Sequence, residues 1–270
     1  MCNIGERGMK GKALIIDNDF LFVEFLERIL TGRGYRVWRS YRAGKGLEMV
    51  RRQDFDLIFM DYMISYADGE QIIEFLKGWA KEKGIVVVVY SGCLLEQMES
   101  AKDMGVDYLI IKGPINNMKR EIEKVLEEVE QGGRQRKTKI IEPRKIWPRQ
   151  ETARLLDHIR YMKSIINSLP MGIIFVDSDG IITGCNIKAT DILDLSTEDL
   201  LGRRIWELSE GSDINRLRDL IRDRTTHQGD EQIMEMVFNG KTLTISAISL
   251  IFDYETNGWV FILKEKRVNG

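Results

Sequence analysis

At 270 residues the chain is longer than one typical domain and suits two, because a single hydrophobic core stops growing within a few hundred residues. With 43% hydrophobic and 30% charged residues and only 4 prolines, the composition excludes disorder throughout and lets each half bury a core. The net charge of -2 averages unlike parts: residues 11–130 carry -4 (17 basic against 21 acidic), 131–149 carry +6, and 150–270 carry -5 (14 against 19).

Strands are expected at 13–16, 35–38, 57–60, 85–90 and 108–111, each short, apolar and followed by a helical pattern. In the first helix Leu21, Phe22, Phe25, Leu26, Ile29 and Leu30 recur at helical spacing, and Gly32 and Gly34 stop it. This βα repeat predicts a doubly wound α/β domain over 11–130, with a five-stranded parallel sheet and its chemistry at the carboxyl ends of the strands. The basic, proline-bearing stretch 131–149 reads as a linker. Over 150–169, Leu155, Ile159, Met162, Ile166 and Leu169 alternate at spacings of 4 and 3, a short seam that suits dimerisation as a coiled coil or packing on its own domain.

From 170 to 267 the texture changes. GIIFVD and GIITGCN form a hairpin about an Asp-Ser-Asp-Gly turn. Helices are expected at 188–193, 197–201 and 213–224, then strands at 232–238, 242–252 and 259–263. That order predicts an α+β domain with a five-stranded antiparallel sheet. The longest uninterrupted apolar run, 85–90, is far short of the roughly 20 residues of a membrane span. No apolar signal core opens the sequence, so a cytoplasmic location without membrane contact is expected. Cys2, Cys93 and Cys185 share no ligand spacing, which argues against a disulfide framework or zinc site.

Asp17 and Asp19 follow the first strand, Asp61 the third, Ser91 the fourth and Lys112 the fifth, so a parallel sheet brings them to one edge. Carboxylates and backbone carbonyls there suit a hard divalent cation, and a hydroxyl with an ammonium suits phosphoryl oxygens. The succession IIDND, FDLIFMD, VVVVYSG, LIIK over residues 11–130 resembles the flavodoxin-like receiver domain of two-component response regulators. The resemblance implies that Asp61 accepts a phosphoryl group from a partner sensor histidine kinase, that Asp17, Asn18, Asp61 and the Met63 carbonyl bind Mg2+, and that Ser91 and Lys112 engage the phosphoryl group.

The sequence departs from that pattern at four places. Asn18 replaces the second acid of the metal-binding pair, which weakens the expected Mg2+ binding. Ile64-Ser65 stands where Met-Pro is usual, although Asp68-Gly69 of the same loop is kept. Gly113 separates Lys112 from Pro114, leaving the aim of the lysine open. Leu109 occupies the usual aromatic switch position, and the adjacent Tyr108 is expected to face the other side of its strand.

The segment INSLPMGIIFVDSDGIITGCNIKATDILDLSTEDLLGRRIWEL resembles a PAS domain, and the resemblance extends to about Lys266. It implies a small sensory or dimerising module with a pocket under the helix near 213–224. A haem would need an axial ligand, but His227 lies at or beyond the end of that helix and His158 lies on the linker helix. Cys185 sits on a strand rather than in a flavin-adduct helix, and Trp206 and Trp259 suit core or interface better than a cofactor stack. A PAS fold without cofactor, used for protein contact, is the expectation.

Neither kinase, nucleotide-binding nor helix-turn-helix motifs occur in the sequence, so the chain is not expected to be an enzyme. Its expected role is a signalling adaptor: phosphorylation of Asp61 biases a receiver surface formed by the fourth helix, fifth strand and fifth helix, and the linker helix and PAS domain make homodimer or effector contacts. The alternatives are a phosphorylation-independent pseudo-receiver scaffold and the sensory portion of a larger kinase or transcription-regulator system. DNA binding through the basic linker and Trp147 is disfavoured, because no folded reader accompanies it.

Overall fold

A computed structural model describes residues 10–64, 67–91, 105–132, 138–141, 150–223, 230–252 and 255–265. Ser65, the expected fourth helix of the receiver between the fourth and fifth strands, Cys2, Cys93, Trp147 and His227 lie outside the described residues. The chain divides into two compact units, each described by itself.

The first unit alternates strand and helix: β1 Gly11–Ile16, α1 Phe20–Gly32, β2 Tyr35–Ser40, α2 Ala43–Arg52, β3 Leu57–Asp61, α3 Gly69–Lys83, β4 Val86–Ser91, β5 Tyr108–Ile111, α4 Ile115–Glu130 and β6 Lys139–Ile141. Its sheet runs β2-β1-β3-β4-β5-β6 with every described pairing parallel. β3 and β4 are buried at every position, which accounts for their continuous rather than alternating apolar sequences. The valines of β4 also suit the pleated backbone. Val23, Leu26 and Leu30 of α1 and Met118, Ile122, Val125 and Leu126 of α4 pack against Ala13, Ile15, Phe59, Val88 and Tyr108, so these two helices share one sheet face. Asp19 caps α1, its carboxylate accepting from the Leu21 and Phe22 amides at 3.0 and 3.1 Å.

The parallel sheet has six strands among the described residues, one more than expected, and the sixth comes from the basic linker. Tyr108, Leu109 and Ile110 pair with Lys139, Ile140 and Ile141, and the Lys139 amide donates to the Asp107 carbonyl at 3.0 Å. Lys139 also pairs with Glu128 on α4. Two isoleucines among cations are too short a run to signal a strand, yet they suffice to cover the open edge of β5. A short edge strand headed by lysine also discourages further pairing.

The second unit contains α5 Gln150–Ser168, β7 Gly172–Asp177, β8 Ile182–Cys185, α6 Ile187–Leu193, α7 Thr197–Leu200, a 3-10 turn Ile205–Leu208, α8 Asp213–Arg222, β9 Glu231–Phe238, β10 Lys241–Phe252 and β11 Glu255–Glu265. The sheet is five-stranded and antiparallel, ordered β8-β7-β11-β10-β9. In the first hairpin Asp177 Oδ1 accepts from the Asp179 and Ile181 amides at 3.0 and 2.9 Å, and Gly180 takes φ 81°. A Cβ at Gly180 would lie 2.3 Å from the Trp206 ring, so both conformation and space require glycine. Asn239 and Gly240, with φ 46° and 74°, make the two-residue turn between β9 and β10.

Asn186 ties several of these pieces together. It is buried and caps α6; its Oδ1 accepts from the Ile173 and Ala189 amides at 2.8 and 2.9 Å, and its Nδ2 donates to the Ile166 and Met171 carbonyls at 3.1 and 2.9 Å. All four bonds go to backbone groups, and removing the amide strands these buried partners. Asn186→Ala is expected to destabilise the second domain by about 3 kcal/mol. Chemical denaturation followed by circular dichroism checks this, and a change below about 1 kcal/mol contradicts it.

Candidate functional site

The parallel register sets β1, β3, β4 and β5 side by side with their carboxyl ends at one edge. Ile16 lies opposite Met60, Asp61 opposite Tyr90, and Ser91 opposite Ile111. The residues that follow are therefore neighbours although they are far apart in sequence. Lys112 Nζ lies 2.8 Å from Asp61 Oδ2 and 3.3 Å from Asp17 Oδ2. The Lys112 amide donates to the Ser91 carbonyl at 2.8 Å, which ties the ends of β4 and β5 together. Asp17 Oδ1 accepts from the Asp19 amide at 2.8 Å, and Asp61 Oδ1 from the Met63 amide at 3.2 Å.

Asp17, Asp61 and Ser91 are buried, while the Lys112 side chain keeps 25% of its surface exposed. Burial pushes the Asp17 carboxyl above its ordinary value and the Asp61 charge adds to this, against the opposing effects of the Asp19 amide and Lys112. Burial alone would lower Lys112, but the hydrogen bonds and charges of Asp61 and Asp17 outweigh it, so the ammonium is held above its ordinary value. Two carboxylates thus share one cation in a largely buried pocket.

The structure brings together Asp17, Asp61, Ser91 and Lys112 as the sequence expects, and places Met63 against the Asp61 carboxylate. Asn18 is exposed beside the pocket. Asp19, grouped with the acid cluster on sequence, is occupied in capping α1. Despite the intervening Gly113, Lys112 aims at both acids, and Pro114 opens α4 as its N-cap. Tyr108 is buried and its hydroxyl donates to Glu128 Oε2 at 3.3 Å, while Leu109 is also buried.

Two aromatic residues were not legible as part of this site. Phe22 and Tyr90 each present a ring 5.0 Å from Lys112 Nζ. The available signal was Tyr90 itself, an aromatic ending a run of four valines just before Ser91.

Among the described residues no cluster of three or more His, Cys, Asp or Glu side chains is gathered for a metal. The site instead offers two carboxylates that carry one negative charge beyond their lysine, with the backbone of Met63 alongside. That set fits a hard cation that keeps most of its waters, such as Mg2+. Chemically, the arrangement suits a carboxylate nucleophile with an ammonium ready to meet phosphoryl charge.

In the second domain Cys185 is buried at the end of β8, Trp259 is fully buried in β11, and His158 is exposed on α5. The Trp206 ring has the guanidinium groups of Arg204 and Arg218 at 5.2 and 5.5 Å.

Residues 13–123 match the model of the response regulator receiver domain, and residues 160–265 match that of the PAS fold. The transcriptional regulatory protein ZraR of Escherichia coli (strain K12) is 27% identical over 113 residues, 42% of this chain and 26% of that protein. The probable transcriptional regulatory protein SilR of Salmonella typhimurium is 24% identical over 99 residues, 37% of this chain and 43% of that protein. The chain thus spans about a quarter of ZraR and less than half of SilR. Among solved structures, a CheY-like response regulator receiver domain protein from Methanospirillum hungatei JF-1 is 25% identical, covers 45% of this chain and 98% of its own, and has a TM-score of 0.38. The PAS domain of an HTR-like protein from Haloarcula marismortui is 18% identical, covers 43% and 98%, and has a TM-score of 0.37. The chain carries a two-component receiver domain followed by a PAS domain, a signal-transduction arrangement.

Because the folded state holds Asp17 above its ordinary pKa, keeping it charged opposes folding at neutral pH. Asp17→Asn should therefore stabilise the receiver domain by about 1 kcal/mol at pH 7. The gap should narrow as pH falls through the raised Asp17 pKa, where the native wild type takes up a proton before the unfolded chain does. Urea denaturation of both proteins at neutral and acidic pH checks the sign.

Proposed function

We infer that this receiver–PAS chain is a cytoplasmic response regulator or adaptor whose switch is phosphorylation of Asp61 by a sensor histidine kinase. The observation that carries the reading is the grouping of Asp61, Asp17 and Lys112, with the ammonium 2.8 Å from the acceptor carboxylate. An Asp61 oxygen attacks the phosphorus of a phosphohistidine. An O–P bond forms as the P–N bond breaks, and the electron pair returns to the imidazole nitrogen. Lys112 meets the developing charge on the phosphoryl oxygens, and the Ser91 hydroxyl satisfies another. Asp17, Asn18, Asp61 and the Met63 carbonyl would hold Mg2+, which when bound screens the incoming phosphoryl charge; the neutral Asn18 makes this binding weaker than a second carboxylate would.

The output in this reading is conformational rather than enzymatic. Phosphorylation biases the face carrying β5 and α4, and an effector protein reads that face. Homodimerisation runs through α5 and the PAS domain. Ile159 and Met162 of the heptad seam are exposed, as are Tyr161 and Ile165, which supports an apolar contact with a second copy. The second reading, a phosphorylation-independent scaffold on the same fold, draws its support from Asn18.

Acetyl phosphate with Mg2+ should add one phosphoryl group to the wild type and none to Asp61→Asn, read by intact-protein mass spectrometry. An unmodified wild type, or equal modification of the variant, leaves the scaffold reading in place. For the dimer, Ile159→Glu combined with Met162→Glu should convert a dimeric species to monomer in light scattering, and an unchanged mass contradicts the α5 contact.

A further inference from the structure

Lys112 has two sides. Towards the sheet edge stand Asp61 and Asp17; against its ammonium on another side stand the rings of Phe22 and Tyr90, both with centroids at 5.0 Å. The two rings contact each other, 4.8 Å apart and inclined by 45°, and Phe59 lies 6.5 Å behind Tyr90. Tyr90 is 1% exposed and sits on a strand hydrogen-bonded on both sides, so its ring has little freedom to move. Phe22 is fixed from its own backbone, since its amide is bound by the capping Asp19 carboxylate at 3.1 Å. Neither ring is needed to fill a site of two acids and a lysine, yet both converge on the cation.

We propose that Tyr90 and Phe22 form an aromatic cradle that positions the Lys112 ammonium for the phosphoryl group on Asp61, a role that rests on Asp61 being the phosphoacceptor. Gly113 separates Lys112 from Pro114, so the backbone beyond the lysine carries no side chain to restrict its direction. A lysine side chain has four rotatable bonds and loses about 2 kcal/mol of conformational freedom when held in one arrangement. Two carboxylates draw it in different directions, with Asp61 nearer at 2.8 Å and Asp17 at 3.3 Å. Ring faces add a directional attraction to the ammonium that strengthens as water is excluded. They leave its N–H donors free to bind oxygen.

The Tyr90 hydroxyl deepens the same arrangement. It is buried beside the Asp17 carboxyl and interacts with it. Tyr90 thus touches the cation with its face and adjoins the metal-binding acid with its edge. It is a positioning residue, acting through Lys112 rather than on the reacting atoms.

The test uses the full chain and two readouts. First, aromatic ring currents should move the side-chain Cε proton resonance of Lys112 upfield of the other lysines in 1H–13C spectra. Phe22→Leu and Tyr90→Leu should return it towards the common lysine position, and Tyr90→Phe, which keeps the ring, should leave it shifted. Second, with acetyl phosphate at saturating MgCl2, Tyr90→Leu and Phe22→Leu should slow Asp61 labelling about tenfold, Tyr90→Phe should restore it to within about threefold, and the half-saturating Mg2+ concentration should change less than about twofold in Phe22→Leu. Phe22 is only half-buried, so its variant tests the cradle even if Tyr90→Leu fails to fold. An unshifted Lys112 resonance in the wild type, or one unchanged in Phe22→Leu, overturns the cradle even where labelling proceeds. Labelling of Phe22→Leu at the wild-type rate overturns its role in positioning. A wild type with the shifted resonance but no label defeats the phosphoacceptor reading and with it the cradle's proposed purpose, while identifying the contact itself as real.

Discussion

The receiver domain is organised around an imbalance of charge: two buried carboxylates, Asp17 and Asp61, face one ammonium. Removing charged groups from water is expensive, and a shared lysine compensates only part of that penalty. Backbone hydrogen bonds hold both acids where they are. Asp17 is held by the Asp19 amide and Asp61 by the Met63 amide, each a backbone donor that does not move independently of the chain. A pocket short of one positive charge is one whose balance an added cation would improve.

The parallel sheet makes that imbalance possible. Each strand contributes its last residue, or the next, to a common edge, and the hydrogen bonds from the Lys112 amide to Ser91 and from the Tyr62 amide to the Tyr90 carbonyl knit those ends together. The loop after β1 serves three purposes in three residues. Asp17 supplies a carboxylate, Asn18 is the exposed step between, and Asp19 caps α1 and thereby places Phe22. A change at Asp19 would thus be felt at Lys112 without any direct contact between them.

Much of this was legible because it depends on local pattern. The strand and helix succession, the placement of Asp17, Asp61, Ser91 and Lys112 after successive strands, and the Asp-Ser-Asp-Gly hairpin all follow from apolar periodicity and turn chemistry. What escaped depends on tertiary partners. Lys139-Ile140-Ile141 becomes a strand only because β5 presents an unpaired edge, and no local propensity announces that. Tyr90 reads as one more apolar strand residue until Lys112, at the end of the neighbouring strand β5, is known to lie over its ring. Asn186 was visible as the end of a strand, but its four backbone bonds connect residues 166, 171, 173 and 189, which share no sequence signature.

The sixth strand changes how the linker must be understood. A basic tether between two acidic domains would be expected to remain solvated. Yet Lys139 to Ile141 are bound to β5 by a parallel ladder, and Lys139 is paired with Glu128 of α4. The residue that follows β5 is Lys112, and the helix that follows Lys112 is α4. The strand edge, the helix and the lysine that meets Asp61 are therefore successive parts of one mechanically continuous segment. Displacing β5 would disturb the backbone bonds that hold residues 139–141, and displacing α4 the Lys139–Glu128 ion pair, so residue 139 is tied to both by bonded structure rather than by a flexible chain.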